Sequence, residues 1–306
     1  MFRLFWILLF AVVWVRPIGA TEIVLGKIKT EQLEKIFDFY NYGEEKGYLQ
    51  AKTYNYPPIF CKYFPVDFNE ITDEKRRNAL FVKILAPLTI KLNNEIMEER
   101  KEILAVNDVF KKNKELSVEQ EKFLEDKAKK YDIFTRLKGY QRTKYILSEL
   151  LIKVHIIPPS ILITAAALET NFGSSRIVKE GNSLYKQLAW HTDEGLKPIG
   201  ETEDDSYRIK TYSDIYSSMQ EFALKLNSGM QYYNFREYRD TILWRRTPLL
   251  GSILAPYMVW NSPLKNYAGL FDYTLAYYEL NIIDKSVLNS KMTLKPLPKE
   301  LKKLQM

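Results

Sequence analysis

The feature that most constrains this chain is a long run of helical periodicity. Over residues 72–109, Leu80, Val82, Ile84, Leu85, Leu88, Ile90, Leu92, Ile96 and Met97 recur at the spacing of one helix face. A helix of that length crosses a whole domain and must recruit other helices to cover it. Pro87 lies inside the run and is expected to kink it or split it in two, because proline lacks the N–H and crowds the carbonyl four residues back. Ser117-Val118-Glu119-Gln120 is a capping-box pattern that opens a helix to about residue 131, so the Lys- and Glu-rich stretch 111–130 reads as a solvated helical hairpin. Further helices are expected over 135–155, 161–169, 213–226, 231–243, 248–259 and 263–281. Nothing alternates strand with helix, which argues against a parallel α/β fold. With 12 Gly in 306 residues, an all-β fold of many tight turns and a Gly-rich phosphate loop are both disfavoured. Residues 21–64 mix short polar and aromatic stretches, with a loop signal at Tyr54-Asn55-Tyr56-Pro57-Pro58, and residues 184–212 lack helical periodicity and read as a small β-hairpin or long loop. The fold class is therefore mainly α, with one small β element in the second half.

The two ends differ from the middle. Residues 1–20 carry Arg3, an apolar run over 4–15, and then Pro17, Gly19 and Ala20. Twelve apolar residues rise only ~18 Å as a helix, short of the ~30 Å hydrocarbon core, so the segment reads as a signal peptide. Its removal takes away Arg3 and Arg16 and lowers the formal charge from +7 to +5. Residues 285–306 are rich in Lys and Pro and are expected to form a flexible tail. The mild positive charge suits a partner bearing carboxylates or phosphates. No Lys/Arg stripe interleaved with aromatics is present, so nucleic acid is not an expected partner. Two His and one Cys leave little material for a metal site or a disulfide framework, and no cofactor or metal is expected. Cys61 lies among Phe60, Tyr63 and Phe64 and reads as a buried small hydrophobe.

Chemistry concentrates at residues 158–185. Pro158-Pro159-Ser160 opens a short apolar helix that ends on Ala165-Ala166-Ala167-Leu168-Glu169. A carboxyl group at the end of an apolar helix is poorly solvated, and the negative end of the helix dipole disfavours its charge further. Both effects hold a proton on the group, which is what a general acid near neutral pH requires. Asn171, Gly173 and Ser174 then turn the chain, leaving Glu169 at a corner that can face a cleft.

The stretch Ala167-Leu168-Glu169-Thr170-Asn171-Phe172-Gly173-Ser174-Ser175-Arg176, followed by Gly181-Asn182-Ser183-Leu184-Tyr185, resembles the signature of the bacterial endo-β-N-acetylglucosaminidase family of peptidoglycan hydrolases. More closely, the chain resembles the Bax-like proteins of Gram-negative bacteria, which are unrelated to the apoptotic protein of that name. Asn227 with Tyr232, Phe235 and Arg236 is similar to a helix of that family. So is the upstream run through Asn78, Phe81 and Pro87 to Asn93-Asn94-Glu95-Ile96. The resemblance covers about 60–281. It implies a lysozyme-like (α+β) fold: a helical lobe and a small β-hairpin lobe with a glycan cleft between them. The implied organisation is a signal peptide at 1–20, an N-terminal helical extension at 21–134, a glucosaminidase domain at 135–284 and the tail at 285–306.

The same resemblance implies that Glu169 is the catalytic acid and that a tyrosine in a late helix assists it. Tyr267 is the expected tyrosine, with Tyr257 the next candidate. Phe172, Tyr185 and Trp190 are aromatic candidates for stacking on sugar rings. The family Trp is Phe172 here, and an acid often found before the last strand of the β element is replaced by Arg208. The second carboxylate then falls to Glu201, Glu203, Asp204 or Asp205. The implied reaction is cleavage of the β-1,4 bond between N-acetylglucosamine and N-acetylmuramic acid. Attack comes either from water activated by a β-lobe acid or from the substrate's own 2-acetamido group. The expected setting is the periplasm or envelope of a Gram-negative bacterium. The partner there is peptidoglycan glycan strands, and the protein acts as a monomer without stable membrane insertion after signal cleavage. Two competing readings are a catalytically weak or inactive glycan-binding scaffold, favoured by Arg208, and a helical interaction protein anchored by residues 4–15.

Overall fold

The computed structural model describes residues 22–42, 55–190, 194–198, 207–258, 266–289 and 294–306. The signal peptide and all four candidate second acids (Glu201, Glu203, Asp204 and Asp205) lie outside that set, as does the Trp190 side chain.

The spine is α2, Glu74–Asn113, 40 residues long and capped by Asp73, whose carboxylate accepts from the Lys75 and Arg76 N–H groups. Pro87 does not divide it. The carbonyl that loses its helical donor is that of Lys83, and the Tyr42 hydroxyl donates to it at 2.8 Å. A distant side chain thus replaces the missing N–H, and α2 stays one helix. Tyr42 follows α1 (Thr30–Phe39), a helix that the sequence reading did not anticipate.

The capping box at Ser117 forms as expected and starts α3, Val118–Lys130. This helix folds back on α2 through Glu99, whose carboxylate accepts from Lys127, Lys130 and Tyr131. Helix α4 (Gly139–Lys153) leads to α5 (Pro159–Thr170), which is buried on nearly all sides from Pro159 to Ala167. A helix apolar all round belongs at the centre of a protein, and α2 and α10 (Tyr267–Tyr277) pack against it. The entry to α5 is fixed by Asn93 of α2, which donates to the Ile157 carbonyl at 2.7 Å and accepts from the Ile157 N–H at 3.0 Å. Its first turn is held by Asp284, which accepts from the Ser160 N–H and hydroxyl and from the Gly251 N–H at 2.7–2.8 Å. Burial pushes the Asp284 carboxyl up to about 6.

Between α6 (Arg176–Gly181) and α7 (Ile215–Ser228), β4 (Leu188–Trp190) pairs antiparallel with β5 (Tyr207–Ile209), the hairpin expected over 184–212. The α7 cap is Asp214, one residue beyond the expected Ser213. Helices α8 (Tyr233–Trp244) and α9 (Gly251–Leu254) complete the body. The fold is thus a helical body with a small β-hairpin lobe.

Two expectations need correction. Residues 21–134 are not a separate extension, because one hydrophobic core runs across 134/135 and includes Phe81 and Leu85 of α2 with Ile161 and Leu162 of α5. Nor is the C-terminal stretch a loose tail. Leu294 and Leu297 are buried, and β6 (Val287–Leu288) pairs parallel with β2 (Asn55–Tyr56). Gln305 bridges Leu25 of β1 (Ile23–Leu25), the strand that pairs in parallel with β3 (Ile59–Cys61). Cys61 is buried and free, and burial pushes its thiol up to about 12.

Candidate active site

Glu169 sits in the last turn of α5, and the chain stops the helix abruptly behind it. Asn171, Phe172 and Gly173 all take left-handed backbone, with φ of +48°, +51° and +78°. The Thr170 hydroxyl accepts from the Gly173 N–H at 2.9 Å, and the Phe172 N–H reaches back to the Ala167 carbonyl at 2.9 Å. Gly173 allows this turn: a Cβ there would lie 3.0–3.2 Å from the Phe81, Phe64 and Phe68 rings.

Three side chains face the acid. The Tyr267 phenol, at the start of α10, is buried and lies against the Glu169 carboxylate. Burial, then the adjacent carboxylate, raises that phenol well above its ordinary range, so it is a neutral donor. Tyr232, also buried, is raised by the same two causes in the same order. The Lys186 ammonium lies 3.4 Å from Glu169 Oε2, with the carboxylate side chain 20% exposed and the lysine 47%. Glu169 is therefore partly wet and paired with a cation, a less apolar setting than its sequence suggests. Neither Lys186 nor Tyr232 was singled out as a site residue. For Lys186 the only local signal is its place directly after the Gly181–Tyr185 motif.

That motif delivers Lys186. Asn182 donates to the Tyr212 carbonyl at 2.8 Å, the Leu184 N–H donates to the Ser218 hydroxyl at 3.0 Å, and the Tyr212 hydroxyl donates to Gln187 at 2.7 Å. Tyr185, expected to stack on sugar, belongs to the core instead. It is 6% exposed and its ring stacks on Phe222 at 4.1 Å, because an aromatic between these anchors falls inward against α7. Phe172 also turns inward, with its ring against Phe81 (5.5 Å) and Tyr278 (4.9 Å). Asn78 of α2 holds the Tyr278 hydroxyl at 2.7 Å, so α2 buttresses the turn after Glu169 through Tyr278. Tyr257 stacks on Tyr238 at 3.9 Å, so its ring is engaged there. Arg208 stands in β5 opposite Ala189, with Nη1 donating to the Tyr207 carbonyl at 3.0 Å. The structure thus brings Glu169 and Tyr267 together and keeps Tyr185 and Tyr257 engaged elsewhere. Among the described residues no group of three His, Cys, Asp or Glu side chains is arranged to hold a metal, and no helix is long and apolar enough to cross a membrane.

Residues 144–247, which include Glu169, Lys186 and Tyr232, match the family model described as mannosyl-glycoprotein endo-β-N-acetylglucosaminidase. Over that span the chain carries a glucosaminidase-family domain. That family is one of glycoside hydrolases, and its matched span ends before Tyr267, whose pairing with Glu169 comes from the structure alone. Protein bax of Escherichia coli (strain K12) is 27% identical over 167 residues, which are 53% of this chain and 55% of that protein. The chain thus spans about half the length of this curated relative. The catalytic domain of the autolysin Auto from Listeria monocytogenes aligns with a TM-score of 0.32 and 19% identity over 55% of this chain and 98% of that domain.

Proposed function

We propose that this protein is an exported peptidoglycan hydrolase that cleaves the β-1,4 bond between N-acetylglucosamine and N-acetylmuramic acid, with Glu169 as general acid. The observation that carries the reading is the buried Tyr267 phenol set against the Glu169 carboxyl at the end of the central helix. Protonated Glu169 donates to the glycosidic oxygen as the bond to the anomeric carbon breaks, and positive charge develops on the sugar ring. Tyr267, kept neutral, fixes the carboxyl orientation and offers a hydroxyl to the acetamido group or to water. The attacking group is either a water activated by one of Glu201, Glu203, Asp204 and Asp205, or the 2-acetamido oxygen of the substrate.

Purified peptidoglycan tests this reading. We expect release of fragments whose new reducing ends are N-acetylglucosamine; muramic acid ends would overturn the bond assignment. Arg208 on β5 supports a second reading, in which the cleft binds glycan without turning it over. Binding without any fragment release would favour it. Amide variants of the four acids separate the two attacks. Loss of activity in one variant alone indicates activated water, whereas activity retained in all four indicates substrate assistance.

A further inference from the structure

We infer that Lys186 is an exchangeable counter-ion that leaves Glu169 for a carboxylate on the glycan, so that the site selects a sugar chain carrying negative charge beside the scissile bond. The inference rests on the proposed glycan site. Its first support is backbone geometry. Lys186 holds φ at +46°, a region that glycine enters freely and a lysine enters only at a steric cost. Such strain persists only where neighbours over-determine it. Here Tyr185 is locked on Phe222 before it, and Gln187 is held after it by the Lys210 N–H and the Tyr212 hydroxyl.

The second support is the asymmetry of the ion pair. The carboxylate is mostly enclosed and the ammonium is half in water. At 3.4 Å the contact is longer than a direct charged hydrogen bond of ~2.8 Å. Among the described residues Glu169 is the only carboxylate paired with Lys186. The lysine is therefore the member free to move. An ammonium attracts the carboxylate and not the carboxylic acid, so the pair must open before Glu169 can hand over a proton. A carboxylate on the incoming glycan gives the ammonium a new partner as the old one is lost. This couples recognition of an acidic sugar to opening of the pair, after which the Glu169 carboxylate takes up a proton from water and can then donate it to the glycosidic oxygen.

Calorimetric binding of three matched tetrasaccharides tests the inference without requiring turnover. One is a neutral chitooligosaccharide, one carries free lactyl carboxylates, and one carries stem peptides with their own carboxylates. The wild type is expected to prefer a carboxylate-bearing glycan over the neutral one by roughly fivefold, the scale of a partly exposed ion pair. Lys186→Gly, which also relieves the backbone strain, should abolish that preference and leave neutral binding intact. Lys186→Arg should restore it. Preference for one carboxylate-bearing glycan alone identifies the source of the anion. Equal affinity of the wild type for all three, or parallel weakening of all three in Lys186→Gly, would overturn the inference. Lys186-dependent binding in a protein that releases no fragments would sink the proposed hydrolysis and leave this inference standing.

Discussion

Two helix ends in this molecule treat charge in opposite ways. The last carbonyls of α4 are met by buried cations. Arg239, fully buried, donates to the carbonyls of Ile152, Lys153, His155 and Ile156 and to Asn227 Oδ1. Arg100 reaches the Leu151 and Val154 carbonyls, and the Lys153 ammonium reaches that of Tyr131. Each cation lies at the negative end of a helix, where the dipole favours it. The last turn of α5 carries Glu169, an anion against the same dipole, whose cationic partner is a half-exposed lysine. Where polar groups are saturated by fixed partners they hold the fold. Where they are held loosely and against the local field, they remain available for chemistry.

The largest break in that contrast should come from Glu169→Gln. It removes the transferable proton and little else, so glycan hydrolysis should fall by about 10²–10⁴-fold while the melting temperature barely moves. Near-normal hydrolysis by the folded variant would remove Glu169 from the mechanism. At the α4 end the outcome should invert. Arg239→Met strands several buried carbonyls and should cost about 3 kcal/mol in denaturant unfolding, with the rate per folded molecule unchanged. Tyr267→Phe sharpens the comparison at smaller scale. Turnover should drop about tenfold, ~1.4 kcal/mol of barrier, with stability nearly constant. A destabilised protein with an unchanged rate would return Tyr267 to the core.

The smallest effect is a pH dependence at the α4 end. Burial, then Arg239 and Arg100, pushes His155 from its ordinary 6.5 down to about 3. The unfolded chain takes up this proton first, so His155 costs stability as pH falls from about 6.5 toward 3. Asp284, raised to about 6 from 3.8, works the other way and adds stability between about 6 and 3.8. The stability gap between His155→Gln and wild type should therefore widen in the variant's favour from pH 6.5 to 4 in urea titrations. A constant gap would show that His155 is charged in the folded protein.

Local patterns in the sequence specify much of this structure. The Ser117 box, the limits of α5 and the β-hairpin lie where capping residues, proline and lost periodicity put them. Glu169 drew attention because an acid ends an apolar helix and because the residues around it resemble the family signature; its role as the acid is a proposal. What escaped was set by contacts between distant residues. Continuity of α2 through Pro87 depends on Tyr42, 41 positions from the Lys83 carbonyl it caps. The inward turn of Tyr185 depends on Phe222 of a later helix. Lys186 looks like any surface lysine until the turn before it is folded. The C-terminal residues look soluble and loose because their few leucines have no period, yet two of those leucines are buried.

The pairing of residues 287–306 with the N-terminal strands bears on the order of events during synthesis. Leu25 meets Gln305, and the Val24 carbonyl accepts from the Met306 N–H at 2.9 Å. Some 280 residues separate these partners, so β1 and β2 emerge early and wait for the end of the chain before their edges are covered. Helices α2 to α10 can gather around α5 before that closure. The last contacts to form are then at the seam of the two ends, away from Glu169.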